Sequence, residues 1–226
     1  LTIHHKGFSL RVKLRTPMTV AILADEQLLQ ELKSKGLPDG IDMIFADSMR
    51  ALTIAEADVY IDLLFELDAE RTAHLKKLLP KPVIVNAVSW PTKKLGADFI
   101  RINAWPGLLQ RSITEIALPV SMTEADIQPI FSSLHWKYVV APDIPGMITA
   151  RVLATIINEA YHTLGAQVST RQEIDIAMKL GTSYPYGPFE WSAKIGLTRI
   201  HELLTELSHD DKRYMPAPLL VDEASS

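Results

Sequence analysis

Acidic and small polar side chains mark the places in this chain where chemistry could be done. Asp25 and Glu26 open the first helical segment in AILADEQLLQEL, directly after an apolar run. A turn of this kind holds a dinucleotide when glycines let the backbone approach the pyrophosphate, which then rests on the helix N-terminus. No glycine is present, and two carboxylates would repel a diphosphate. The same acids also make a favourable ordinary helix start. Asp47 lies 22 positions after Asp25, near the spacing of about 20 at which an acid bonds the adenosine ribose. It reads alternatively as a helix cap. Glu66 closes IDLLFE and Arg71 follows five residues later. Together they read as a cofactor contact or as a charge pair on a solvated helix start. Asn86 and Ser89 lie in NAVSW, where short polar side chains commonly shape a turn.

Composition narrows the chemistry further. The 226 residues are 47% hydrophobic and 22% charged, which suits one large globular domain or two small ones. A formal net charge of −4 argues against nucleic acid and against an anionic membrane surface as partners. Zero cysteines exclude a disulfide framework, a thiol nucleophile and a thiolate metal site, and no metal site is expected. No apolar run reaches the roughly 18–20 residues that span a bilayer. A cytoplasmic location is the expectation.

Short apolar runs alternate with helical patterns. Strands are expected at Thr19–Ala24, Met43–Ala46, Val59–Leu64, Val83–Val88, Phe99–Ala104 and Ile113–Leu118. Helices are expected over Glu26–Lys35, ending at Gly36, and from Asp68 to Leu79, stopped by Pro80 and Pro82. This alternation predicts an α/β fold: a Rossmann-like, doubly wound, mostly parallel sheet whose strands are covered on both faces. The pattern then changes. Ile148, Val152, Ile156, Ala160 and Leu164 recur every four residues, and helical segments follow over 170–180, 188–195 and 198–207. The expected organisation is an extension over 1–17, a Rossmann-like domain over 18–142, an all-α C-terminal domain over 143–220 and a tail over 221–226. The extension LTIHHKGFSLRVKLRTP is basic and lacks a signal-peptide core. It reads as lying outside the native fold, with a genuine basic arm as the alternative.

Two stretches, PGMITARVLATIINEA and EIDIAMKLGTSYPYGPFEW, carry Pro145, Gly146, Arg151, Asn158, Asp175, Gly187 and Phe189 in a pattern that resembles the C-terminal helical domain of the 3-hydroxyacyl-CoA dehydrogenases. The resemblance covers residues 18 to about 220 and is densest over 139–207. It implies hydride transfer between NAD and a 3-hydroxyacyl thioester in fatty acid metabolism. It also implies a homodimer through the C-terminal helices, and an acyl-CoA or other small-molecule ligand.

The resemblance also exposes departures. The family's phosphate-cradling glycines fall on Leu23, Asp25 and Leu28. NAD is the cofactor the family implies, and this loss argues against ordinary binding. Asp47, Glu66, Arg71 and Asn86 stand at the family's cofactor-side positions. The family Ser that contacts the substrate hydroxyl falls on Val88, with Ser89 adjacent. The family's His–Glu dyad falls on Asn103 and Glu115. An amide has no useful protonation equilibrium and cannot serve as the base. Asn103 is the natural donor for Glu115 if that carboxylate is buried. The PGF-x-x-N-R Asn is Ala150, and only about a dozen residues separate strands two and three, too few for the family's helical hairpin. Three readings follow: a pseudoenzyme that retains ligand binding or dimerisation, an oxidoreductase with an altered cofactor site, and a purely structural subunit. The candidate catalytic set is Glu115, Asn103 and Ser89.

Overall fold

A computed structural model describes residues 17–36 and 38–225. The expected extension over 1–17 falls, apart from Pro17, outside the described residues. The chain runs β1 (Met18–Leu23), α1 (Glu26–Lys35), β2 (Ile41–Ala46), α2 (Met49–Ile54), β3 (Val59–Asp62), α3 (Ala69–Lys76), β4 (Val83–Val85), α4 (Thr92–Leu95), β5 (Ile100–Ile102), β6 (Ile113–Ala117), α5 (Glu124–Ser133) and β7 (Lys137–Val140). Helices α6 (Thr149–Gly165), α7 (Arg171–Thr182), α8 (Pro188–Ile195), α9 (Leu197–Ser208) and α10 (Pro218–Ala224) follow.

The sheet order is β2-β1-β3-β4-β5-β6-β7. All neighbours pair in parallel except β5 and β6, which run antiparallel with Ile102 opposite Ile116. The Rossmann-like reading therefore holds, with a reversed pair at one edge. Alternate residues of the inner strands feed two cores. Val20, Ile22, Val59 and Ile61 pack with Leu28 and Leu32 of α1 and Phe131 of α5. Ala21, Leu23, Tyr60 and Val83 pack with Leu52 of α2, Leu75 of α3 and Leu95 of α4.

Several expectations need correction. β7, α2 and α5 were not legible as separate elements. Among the described residues β7 pairs only with β6, and three of its four residues are exposed, so it lacks the buried-run signature. Double coverage fails at both sheet edges, where Phe45 of β2 and Val140 of β7 face outward. The expected tail is largely helix: α10 reaches Ala224, and Leu220 is fully buried in the helical core.

The row Ile148–Val152–Ile156 reads as a core face, yet Ile148 is 47% and Val152 53% exposed. The buried face of α6 is the adjacent one, carrying Ala150, Leu153, Ala154, Ile157, Asn158 and Tyr161. Asn158 is buried because it has work there. Its amide donates to Met215 O at 2.9 Å and accepts from Ala217 N at 2.8 Å, tying α6 to the approach to α10.

The YPYGPFEW turn is shaped by one close approach. Asp175 of α7 accepts from Phe189 N at 2.8 Å. A Cβ on Gly187 would lie 2.3 Å from the Asp175 carboxylate, so only glycine admits this contact. The two parts of the molecule share a core, since Val88, Trp105 and Leu108 of the sheet domain pack within the helical cluster.

Candidate functional site

The first βα turn is closed on itself. Asp25 is extended (φ −79°, ψ 176°) and its carboxylate accepts from Leu28 N at 2.8 Å. Leu29 N bonds to Asp25 O at 2.9 Å. Leu23 and Leu28, at the places where the resemblance expects glycine, are both buried core residues. Asp47 is exposed and accepts from its neighbour Ser48 Oγ at 3.0 Å. Its alternative role as a helix cap belongs instead to Ser48, which accepts from Ala51 N.

Glu66 and Arg71 do not pair with each other. Arg71 forms a bidentate ion pair with Asp62, at 2.8 Å from Nε and 2.6 Å from Nη2. Asp62 ends β3 and is completely buried. Burial pushes its carboxyl up, against the pull of Arg71. An i, i+5 pair on a helix start is poorly oriented, whereas the end of β3 points an acid directly beneath α3.

Asn86 is a strand clamp. Its amide donates to Leu63 O and Ala104 O, both at 3.1 Å, and accepts from Ala104 N at 2.9 Å. It thereby joins the ends of β3, β4 and β5. Ser89 is 4% exposed, and its hydroxyl bonds to no described residue.

Asn103 and Glu115 meet across the antiparallel pair. Asn103 Nδ2 donates to Glu115 Oε2 at 3.3 Å, and Asn103 Oδ1 is buried without a partner. Glu115 has further duties. It accepts from Ile148 N at 3.2 Å, from Thr149 N at 3.0 Å and from the Thr149 hydroxyl. The reason is local. The PGM turn places Gly146 at φ 77° and Met147 at φ 47°, and α6 then starts at Thr149, with the N-cap position held by Ile148, whose side chain has no acceptor. A helix start leaves backbone donors unsatisfied, and Glu115, from β6, supplies the acceptor. A Cβ at Gly146 would sit 3.0 Å from Arg151, which accounts for the glycine.

A cleft of about 690 Å³ lies between the sheet and helical domains. Glu66, Arg71, Asn86 and Ser89 all line it, with Trp90 and Trp105 beside them and Arg199 and Glu202 of α9 opposite. Asp47, Asn103 and Glu115 are not among its lining residues. Partial burial, and secondly the charge of Glu66, hold the Glu202 carboxyl above its ordinary value. Trp105, Glu202 and Arg101 escaped the sequence reading. Arg101 carries no sequence signal at all: an arginine in a three-residue strand, 0% exposed, donating to Ala87 O, Val88 O and Asp143. No helix among the described residues is long and apolar enough to cross a membrane.

Residues 146–224 match the family model of the 3-hydroxyacyl-CoA dehydrogenase C-terminal domain. Over 84 residues, 36% of the chain, it is 48% identical to a 3-hydroxyadipyl-CoA dehydrogenase of Escherichia coli (strain K12), of which the match covers 18%. Over 184 residues, 80% of the chain, it is 29% identical to a 3-hydroxybutyryl-CoA dehydrogenase of Clostridioides difficile, of which the match covers 64%. The chain thus spans less than two thirds of these curated relatives. The crystal structure of (S)-3-hydroxybutyryl-CoA dehydrogenase from Ralstonia eutropha superposes with a TM-score of 0.70 at 20% identity, over 92% of this chain and 93% of that one. That likeness is one of fold.

Proposed function

We propose, for a chain whose helical domain matches the 3-hydroxyacyl-CoA dehydrogenase C-terminal family model, that NAD-dependent hydride transfer is lost or strongly reduced while ligand binding or dimerisation is kept. The observation that carries this reading is the environment of Glu115. Where the resemblance implies a carboxylate orienting an imidazole, this carboxylate holds the amide of Asn103 and the first turn of α6. The amide of Asn103 cannot take a proton from a hydroxyl. General-base catalysis alone contributes typically about 10²–10⁴-fold.

The residues of the first βα turn do not suit a dinucleotide either. A pyrophosphate needs free helix N-terminal donors and a glycine backbone. Here Asp25 supplies its own carboxylate to Leu28 N, and leucines fill the space. Asn86, a candidate cofactor contact, has both amide hydrogens engaged by backbone carbonyls. Among the candidate residues, Ser89 keeps an unengaged hydroxyl in the cleft, which supports retained ligand binding.

The proposed partner is a second copy of this chain. The outward row of Ile148 and Val152 on α6, with Ile176 and Leu180 on α7, leaves apolar surface uncovered.

The test is direct. The purified protein with 3-hydroxybutyryl-CoA and NAD, or with acetoacetyl-CoA and NADH, should give no absorbance change at 340 nm (about the nicotinamide band) above an enzyme-free control. Robust turnover by the unaltered chain would overturn the proposal and favour the altered oxidoreductase instead.

A further inference from the structure

We propose that the cleft between the two domains receives a small organic cation, an alkyl- or trimethylammonium compound with a hydroxyl or carbonyl near its charged end. This rests on the reading of the cleft as a retained ligand site and names the chemistry of its occupant.

The charge of the cleft is unbalanced. Glu66 enters from the loop after β3 and Glu202 from α9, so the acids come from both domains. Neither carboxylate forms a hydrogen bond or ion pair with a described residue, although Glu66 O accepts from Asp68 N at 2.9 Å. The cationic groups of the lining are otherwise engaged. Arg71 is held by Asp62 at 2.6 Å, and Arg199 donates to Ile195 O, at the end of α8, at 2.9 Å. Asp68 also lines the cleft and caps α3 by accepting from Arg71 N. Counting Asp62 behind Arg71, four acids stand against two arginines. Low-dielectric walls focus such a field on whatever enters. Burial first, and then the charge of Glu66, raise the Glu202 carboxyl, against the pull of Arg199 and His201.

The remaining walls suit the body of such a ligand. Trp90 and Trp105 line the cleft, and indole faces attract ammonium groups. Trp90 already demonstrates this, since the Lys94 ammonium lies 5.2 Å from its ring centroid. Ser89, 4% exposed and without a described hydrogen-bond partner, offers a donor and acceptor inside the same cleft. That hydroxyl stays open to the cleft and can meet a ligand hydroxyl or carbonyl. The volume of about 690 Å³ lies in the range of small-molecule sites. A diphosphate-bearing ligand would instead have to pass or neutralise the acid pair.

The experiment titrates the full chain with choline, and separately with 3,3-dimethylbutan-1-ol, its uncharged isostere, following tryptophan fluorescence and heat. Choline should saturate and bind at least about tenfold more tightly than the alcohol. The double variant Glu66→Gln/Glu202→Gln, with an unchanged melting temperature, should lose at least about tenfold in choline affinity. Failure of choline to saturate, equal binding of the alcohol, or unchanged choline binding by the double variant would each overturn the inference. Acetoacetyl-CoA forms a third arm. Its binding without choline binding keeps the cleft as a ligand site and overturns the cation. Binding by none of the three removes both readings.

Discussion

Asn103 Nδ2 donates to Glu115 Oε2 at 3.3 Å, while Asn103 Oδ1 lies buried beside it with no partner. The amide therefore satisfies the carboxylate without being satisfied in return. Replacing it with imidazole restores a titratable group at that place but changes nothing at Asp25. Asn103→His should fold and still show no NAD-dependent oxidation of 3-hydroxybutyryl-CoA. A rate rise of about a hundredfold or more over the unaltered chain would mean that only the base had been lost.

Glu115 is the cap that α6 lacks in its own sequence. Removing a capping acceptor costs about 0.5–2 kcal/mol, and this one also leaves Asn103 and the Thr149 hydroxyl without their acceptor. Glu115→Ala should destabilise the protein by about 2 kcal/mol or more in urea. Amide exchange should quicken first at Ile148 and Thr149. An exchange pattern unchanged at those amides would show that the carboxylate does not hold the helix start.

Arg101 pins the interdomain link to the sheet. Its guanidinium reaches Asp143 at 2.5 Å and Val88 O at 3.0 Å, while Asp143 also accepts from Thr92 N at 3.1 Å. Breaking a buried pair by removing one partner typically costs about 3–5 kcal/mol. Arg101→Met should fall in that range by chemical denaturation. Asp143→Asn, more exposed and still an acceptor, should cost clearly less.

Lys35 closes α1 with its ammonium on Arg111 O at 2.5 Å and 5.3 Å from the Trp136 ring centroid. Burial first, and then the charge of Arg111, lower its pKa from 10.5 to about 8. Below about 8 both folded and unfolded chains hold the proton, and the folded state carries the full penalty. Between about 8 and 10.5 the unfolded chain binds the proton and the folded chain does not, so this group makes stability rise with pH. Stability measured from pH 7 to pH 10 (roughly the window of the shift) should rise more in the native chain than in Lys35→Met. Parallel profiles would refute the shift.

The uncovered apolar row on α6 and α7 predicts a concentration-dependent dimer. Val152 is 53% and Leu180 82% exposed, so Val152→Asp/Leu180→Asp should leave the monomer's stability nearly unchanged. Sedimentation should give a dimer for the native chain at micromolar concentration and a monomer for the double variant. A native monomer would sink the proposed assembly.

The sequence by itself determined the alternation of strands and helices, the start and stop of α1 at Asp25 and Gly36, and the helical C-terminal half. These are written in short-range signals: apolar periodicity, capping residues and glycine. Through the resemblance it also set Leu23, Asp25, Leu28 and Asn103 where glycines and a histidine are expected. What only the tertiary structure decided are partnerships between distant residues. Arg71 chooses Asp62 over Glu66 because the end of β3 lies under α3. Asn86 becomes a clamp because three strand ends converge on it. Arg101 is buried because Asp143, 42 residues later, folds back over it. The outward turn of Ile148 and Val152 belongs to the same class. A four-residue apolar row specifies that a helix has a face, but which face is covered depends on what packs against it, here α8, α9 and α10.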